Sequence, residues 1–165
     1  MPITTGSRVL AAIECETIKA VVEYWQALGS SGGIALKSAF DPVALPPAAW
    51  PRLFMVEKPH GETAFRLRLM GTYVVGAIGT DFTGCRLLEA EIPGIMRSVT
   101  FNLVSRLFDA NETQHYRGAP TFPLSLQYQL HEQVVLPLYG DASDIVAAVG
   151  AIDYAGFSGG ILSFA

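Results

Sequence analysis

The side chains best suited to chemistry here are His60, His115, His131, Cys15, Cys85 and the serine of GFSGG at 156–160, and spacing decides what each can do. A metal site needs its ligands clustered, as in HxH or HExxH. The three histidines are scattered, and the His-Glu pair at 131–132 lacks the second histidine of a zinc motif. One axial histidine suffices for haem, which makes His115 and His131 conceivable ligands; both read as ordinary strand-surface histidines. The cysteines show no CxxC spacing and read as reduced thiols. Cys85 reads as a small buried hydrophobe. GFSGG is not GxSxG, and no helix follows it. The run GAIGTDFTG has the glycines of a phosphate cradle but no lysine and no preceding βαβ unit. No catalytic residue and no metal site is expected, and the chain reads as non-enzymatic.

Polar residues with a binding or bracing role remain in FRLRLMGTYVVGAIGTDFTGC, 65–85. Phe65, Leu67 and Leu69 are expected on one strand face, with Arg66 and Arg68 on the other. Arg68 is expected to pair with Asp81 or to bond turn carbonyls, bracing the glycine-rich segment; it is also a candidate ligand contact. Tyr73, just after Gly-Thr, is the first choice for a hydroxyl offered to a ligand, and Tyr128 is a second. Met96 and Leu103 are expected to shape a cavity without adding specificity.

Composition narrows the function classes. The net charge is −4 and no basic cluster exists, which argues against a phosphate-tracking nucleic-acid surface. Half of the 165 residues are hydrophobic and 16% are charged, as expected of one domain with a large core, or a core plus an oligomer interface. The early run VLAAI is too short for a signal-peptide core. No run reaches the roughly 18 apolar residues needed to cross a bilayer; the one from Ile145 comes closest, but Asp153 and glycines interrupt it. A cytoplasmic protein with no membrane partner is expected.

Apolar residues at helical spacing predict a helix over 17–28, capped by Thr17 and stopped by the glycines after it. Tyr24 and Trp25 on this helix are expected at a symmetric homodimer interface. Four prolines make FDPVALPPAAWPRL, 40–53, a surface linker. Strands are predicted at 53–57 and 63–70, joined by the turn KPHG. Glycines break 71–92 into turns or one-turn helices. A second helix is predicted over 93–108, with Pro93 in its first turn. Strands follow at 112–118, 127–138 and 144–154, with Pro137 marking an edge or a strand end.

This order predicts an α+β fold: a five-stranded antiparallel sheet with helices on one face, plus an N-terminal amphipathic flanking helix. Residues 1–52 form the arm, flanking helix and linker, 53–156 the core, and 157–165 a tail. Glycine-rich turns roofing a sheet should leave a cavity suited to a small molecule.

Four blocks, EYWQAL with FDPVALP, LFMVEKPHG, FRLRLMGT with GTDFTG, and VVLPLYGDASDIVAAVGAIDY, keep the order and spacing of a bacterial PAS-like family over residues 20–154. The chain resembles the short, often stand-alone members of that family, which are distant from haem and flavin PAS proteins. The resemblance implies the PAS-like fold and a sensory or regulatory role: an unidentified small molecule in the cavity, output through a signalling protein partner, and a homodimer. The cofactor is unknown, with no haem or flavin expected, since TDFTGCRLLE shares only Cys-Arg-Leu with photoreactive PAS sequences. The alternative is a protein-interaction adaptor whose cavity is filled by its own side chains.

Overall fold

Strands form in this chain where β-branched and aromatic residues run together and find cover on both faces of one sheet. The computed structural model describes residues 3–5, 8–30, 33–120, 128–158 and 161–164, with backbone alone at 3–5, 128–129, 156–158 and 161–164. Among these residues the strands are β1 (Ile3–Thr5), β2 (Leu53–Glu57), β3 (Arg66–Met70), β4 (Gln114–Gly118), β5 (Tyr128–Tyr139), β6 (Ile145–Ser158) and β7 (Ile161–Phe164). The α-helices are α1 (Val9–Ala12), α2 (Glu16–Gly29), α3 (Thr72–Ile78) and α4 (Val99–Ala110).

Five strands make the expected antiparallel layer, in the order β3–β2–β6–β5–β4. Two short strands extend it: β1 pairs with β4, and β7 pairs with β6 beyond the end of β2. A loose or partly helical arm and a tail are the expectation at these places. Three- and four-residue strands carry no periodicity of their own, so only the waiting sheet edge reveals them.

Both faces of the central strands are covered. On one, α2 lays Ile18, Val21 and Val22 against Val134, Leu136, Leu138, Ala147 and Val149. Each fully buried aliphatic side chain of α2 contributes about 1.5–3 kcal/mol. On the other face, α3, α4 and the segment between them cover Phe54, Val56, Val135, Ala148 and Ile152. Two-sided burial explains why VVLPL and IVAAV read as unbroken apolar runs rather than alternations.

Pro137 lies inside β5, past the last pairing with β4 at Gln114↔Val135. Its carbonyl accepts from the Trp25 indole N–H at 2.8 Å, and the next outward-facing amide, Tyr139, donates to the Ala35 carbonyl at 2.9 Å. The proline therefore stands where no ladder donor is required, at a local edge closed by α2 and the segment after it.

The helix starts differ from those expected. Cys15, not Thr17, is the N-cap of α2, and its own side chain does not cap the helix. α4 begins after Ser98, whose hydroxyl accepts from the Phe101 amide at 3.0 Å, while 95–97 form a separate 3₁₀ turn. A hydroxyl cap outweighs the tolerance of a helix start for Pro93. Within 71–92 the chain makes a true two-turn helix, α3. It can do so because Gly71 passes so close to the Pro51 carbonyl that any Cβ there would collide with it.

β3 carries a bulge against β2: Leu69 faces Met55 and Leu67 faces Val56, leaving Arg68 as the extra residue. Leu67 and Met70 thus turn to the core while Leu69 is 40% exposed, correcting the simple alternation expected for 65–70. Among the described residues, no helix is long and apolar enough to cross a membrane.

Candidate functional site

Between the sheet and the α3–α4 wall lies an apolar cavity of about 60 Å³. Its floor is Phe54, Val56 and Ile152, and its roof includes Val74, Ile78, Ile92 and Ile95. Phe54 lies flat on the sheet because its cross-strand partner is Gly150; a Cβ at 150 would fall inside the phenyl ring. That flat ring leaves open space above it.

One end of the cavity is polar, with Ser98, Thr100, His131 and Tyr154 in the wall. Ser98 is fully engaged, donating to the Ile95 carbonyl at 2.7 Å while capping α4. Thr100 Oγ1 donates to Gln133 Oε1 at 3.1 Å, and His131 Nε2 stands 3.1 Å from the same oxygen. With the Gln133 amide oxygen placed on this side, which leaves Gln133 Nε2 without a partner among the described residues, the His131 ring is assigned its proton on Nε2. His131 is 4% exposed, and its Nδ1 has no hydrogen-bond partner among the described residues. Burial pushes its pKa down to about 4, so the ring is neutral at physiological pH. Its ring packs between those of Tyr116 and Tyr154, at 5.0 and 5.5 Å.

A second polar cluster occupies the opposite face, where α2 begins. Glu132 is fully buried; its carboxylate accepts from the backbone N–H groups of Glu14 at 3.0 Å and Cys15 at 2.7 Å. The same carboxylate is 2.8 Å from His115 Nε2. A strand residue far along the chain thus caps α2, placing a negative charge at the positive end of the helix. Burial raises the Glu132 pKa, but His115 and the two amides outweigh it and hold the carboxyl below its ordinary value. Beside it, Cys15 Sγ donates to Asp153 Oδ2 at 3.2 Å, and Arg52 Nε donates to Asp153 Oδ1 at 3.2 Å. Burial and Asp153 push the Cys15 thiol up to about 11, leaving it protonated and a poor nucleophile.

The residues expected at a binding site are dispersed. The Tyr73 hydroxyl is committed to the backbone of Tyr154, at 3.0 and 3.2 Å, and its ring is capped by Arg52 at 4.3 Å. Leu103 is buried in the core on the cavity's side of the sheet but does not line the cavity. Met96 is 49% exposed and lies outside it, because α4 starts later than expected and leaves 96 in the 3₁₀ turn. The side chain of Tyr128 lies outside the described residues.

Arg68 and Asp81 are not brought together. Arg68, on the bulge, is exposed and sits 4.0 Å from Glu57, while Asp81 accepts from the Thr83 amide at 2.9 Å, closing its own turn. Arg66 does the bracing instead, donating to the Gly84 carbonyl at 3.0 Å and to Glu62 at 3.3 Å. The 84–87 segment also pairs with the edge of β3, through Leu67 N–H to Cys85 and Leu87 N–H to Phe65. Tyr24 and Trp25 are half-buried on their own chain, Tyr24 edge-on to Phe40 at 5.6 Å.

Sequence reasoning missed Phe54, Ile152 and above all His131. In QLHEQVVLPL both strand faces are buried, so no alternation separates an inward histidine from an outward one. Among the described residues, no group of three or more His, Cys, Asp or Glu is arranged to hold a metal ion.

Neither family models nor curated proteins match this chain. The functional reading therefore rests on its own residues.

Proposed function

We propose that this protein is a PAS-like sensory or regulatory module of the cytoplasm, non-enzymatic, which binds a small molecule and passes its state on through protein contacts. The single observation carrying this reading is the apolar cavity between sheet and helical wall, lined in part by His131, whose Nδ1 has no hydrogen-bond partner among the described residues. An apolar pocket with a few convergent polar groups is the usual form of a small-molecule site. The cavity touches β2, β6, α3 and the start of α4, so a bound ligand would bias the packing of the wall on the sheet. A homodimer belongs to this proposal, with Tyr24 and Trp25 contributing only the edges they leave exposed; light scattering of the intact chain tests it.

Native mass spectrometry of freshly purified protein, followed by a thermal-shift screen of small organic molecules, tests the sensor reading. A co-purifying small molecule, or a saturable rise in melting temperature, is expected. A protein that carries nothing and responds to nothing refutes it. The adaptor alternative is favoured by one observation, the small size of the cavity, and it would be upheld by that negative result.

A further inference from the structure

The polar end of the cavity is selective in a specific way. Ser98 and Thr100 spend their hydroxyl protons on the Ile95 carbonyl and on Gln133. With the Gln133 amide in this orientation His131 spends its ring proton on the same oxygen, which makes Nδ1 an acceptor, buried and without a partner among the described residues. A buried acceptor left unmatched is costly, and a site built this way rejects ligands that cannot fill it. Of the described side chains lining the cavity, none carries a charge at neutral pH. A carboxylate or ammonium ligand would therefore enter an apolar site with no counter-ion. The volume of about 60 Å³ holds roughly four to six water-sized groups.

We propose that the cavity selects a small neutral alcohol with an apolar body, whose O–H donates to His131 Nδ1. This inference rests on the ligand-binding reading above. A body of about three to five carbons fills the apolar end against Phe54 and Ile152, while the hydroxyl reaches the histidine. Shape alone cannot make this distinction; the single unmatched acceptor does.

The test compares 1-butanol, pentane and butyrate by NMR titration of the intact protein at pH 7, following the ¹⁵N resonances of the His131 ring. 1-Butanol and pentane have nearly the same size and differ in the donor; butyrate carries the charge. 1-Butanol is expected to bind about tenfold tighter than pentane, the worth of one neutral hydrogen bond plus the relief of an unmatched acceptor. It should also shift the Nδ1 resonance, and butyrate should not bind measurably. In His131→Leu the preference for 1-butanol should vanish while pentane still binds. Pentane matching or exceeding 1-butanol in the wild type overturns the hydroxyl assignment but leaves the cavity a ligand site. No binding by any of the three overturns both this inference and the ligand-binding reading. 1-Butanol binding without movement of the Nδ1 resonance overturns the role of His131, whether or not the leucine variant folds.

Discussion

The hydroxyl of Tyr73 closes a gap in the sheet at Tyr154, accepting from its N–H at 3.0 Å and donating to its carbonyl at 3.2 Å. β2 stops pairing with β6 at Leu53↔Ala151, and β7 begins only at Ala155↔Phe164. One phenol thus does the work of a missing strand residue between them. Burial and Asp153 raise its pKa above the ordinary tyrosine value, so it stays a donor at any physiological pH.

Tyr73→Phe keeps the ring under Arg52 and removes only the bridge. A loss of about 1–2 kcal/mol in chemical denaturation is expected, with faster hydrogen exchange of the Tyr154 amide. Unchanged stability and protection would show that the bridge contributes nothing.

Arg66 and Arg68 should separate cleanly. Arg68→Ala removes an exposed side chain on a bulge and should change stability by less than about 0.5 kcal/mol. Arg66→Ala cuts the tie to the Gly84 carbonyl and should lower the melting temperature measurably more. The reverse ranking would restore Arg68 as the brace.

Glu132→Gln replaces a carboxylate oxygen with an amide nitrogen facing N–H donors. Since the partners stay buried, a loss of about 3 kcal/mol is expected. The carboxyl titrates below its ordinary value, so its contribution is present above about pH 4.5 and is lost as pH falls through the folded value. Among the described residues, the titratable or charged groups around it include His115, Arg52, Arg117, Glu14, Lys19, Cys15 and Asp153. Denaturation of wild type and variant at pH 7 and pH 4 should show the gap between them narrowing in acid.

His131 sets a different window. Its folded pKa of about 4 lies below the free value of 6.5, so the unfolded chain binds the extra proton first. Stability is therefore full above about pH 6.5 and declines toward pH 4, by roughly 3 kcal/mol across that range. Tyr116 and Tyr154 flank the ring, and Glu132 lies through the sheet. His131→Leu should flatten this slope; an equally steep slope in the variant would place its origin elsewhere.

Gly150→Ala forces a methyl group into the Phe54 ring and should cost about 2–3 kcal/mol. Combining it with Phe54→Ala should cost less than the two changes added together, because the ring is then gone. Strict additivity, measured by urea denaturation, would mean that the ring simply moves aside.

The amino-acid sequence by itself determined the elements that carry their own signals. The amphipathic stripe Ile18–Val21–Val22–Trp25, the apolar runs of β2, β5 and β6, and the antiparallel order they imply all follow from local periodicity and turn residues. Only the tertiary structure decided what depends on distant partners. The cap of α2 comes from Glu132, the brace of the glycine segment is Arg66 because a bulge turns Arg68 outward, and Tyr73 is spent on a strand edge. His131 became the polar point of the cavity for the same reason: in a strand buried on both faces, direction is set by register with its neighbours.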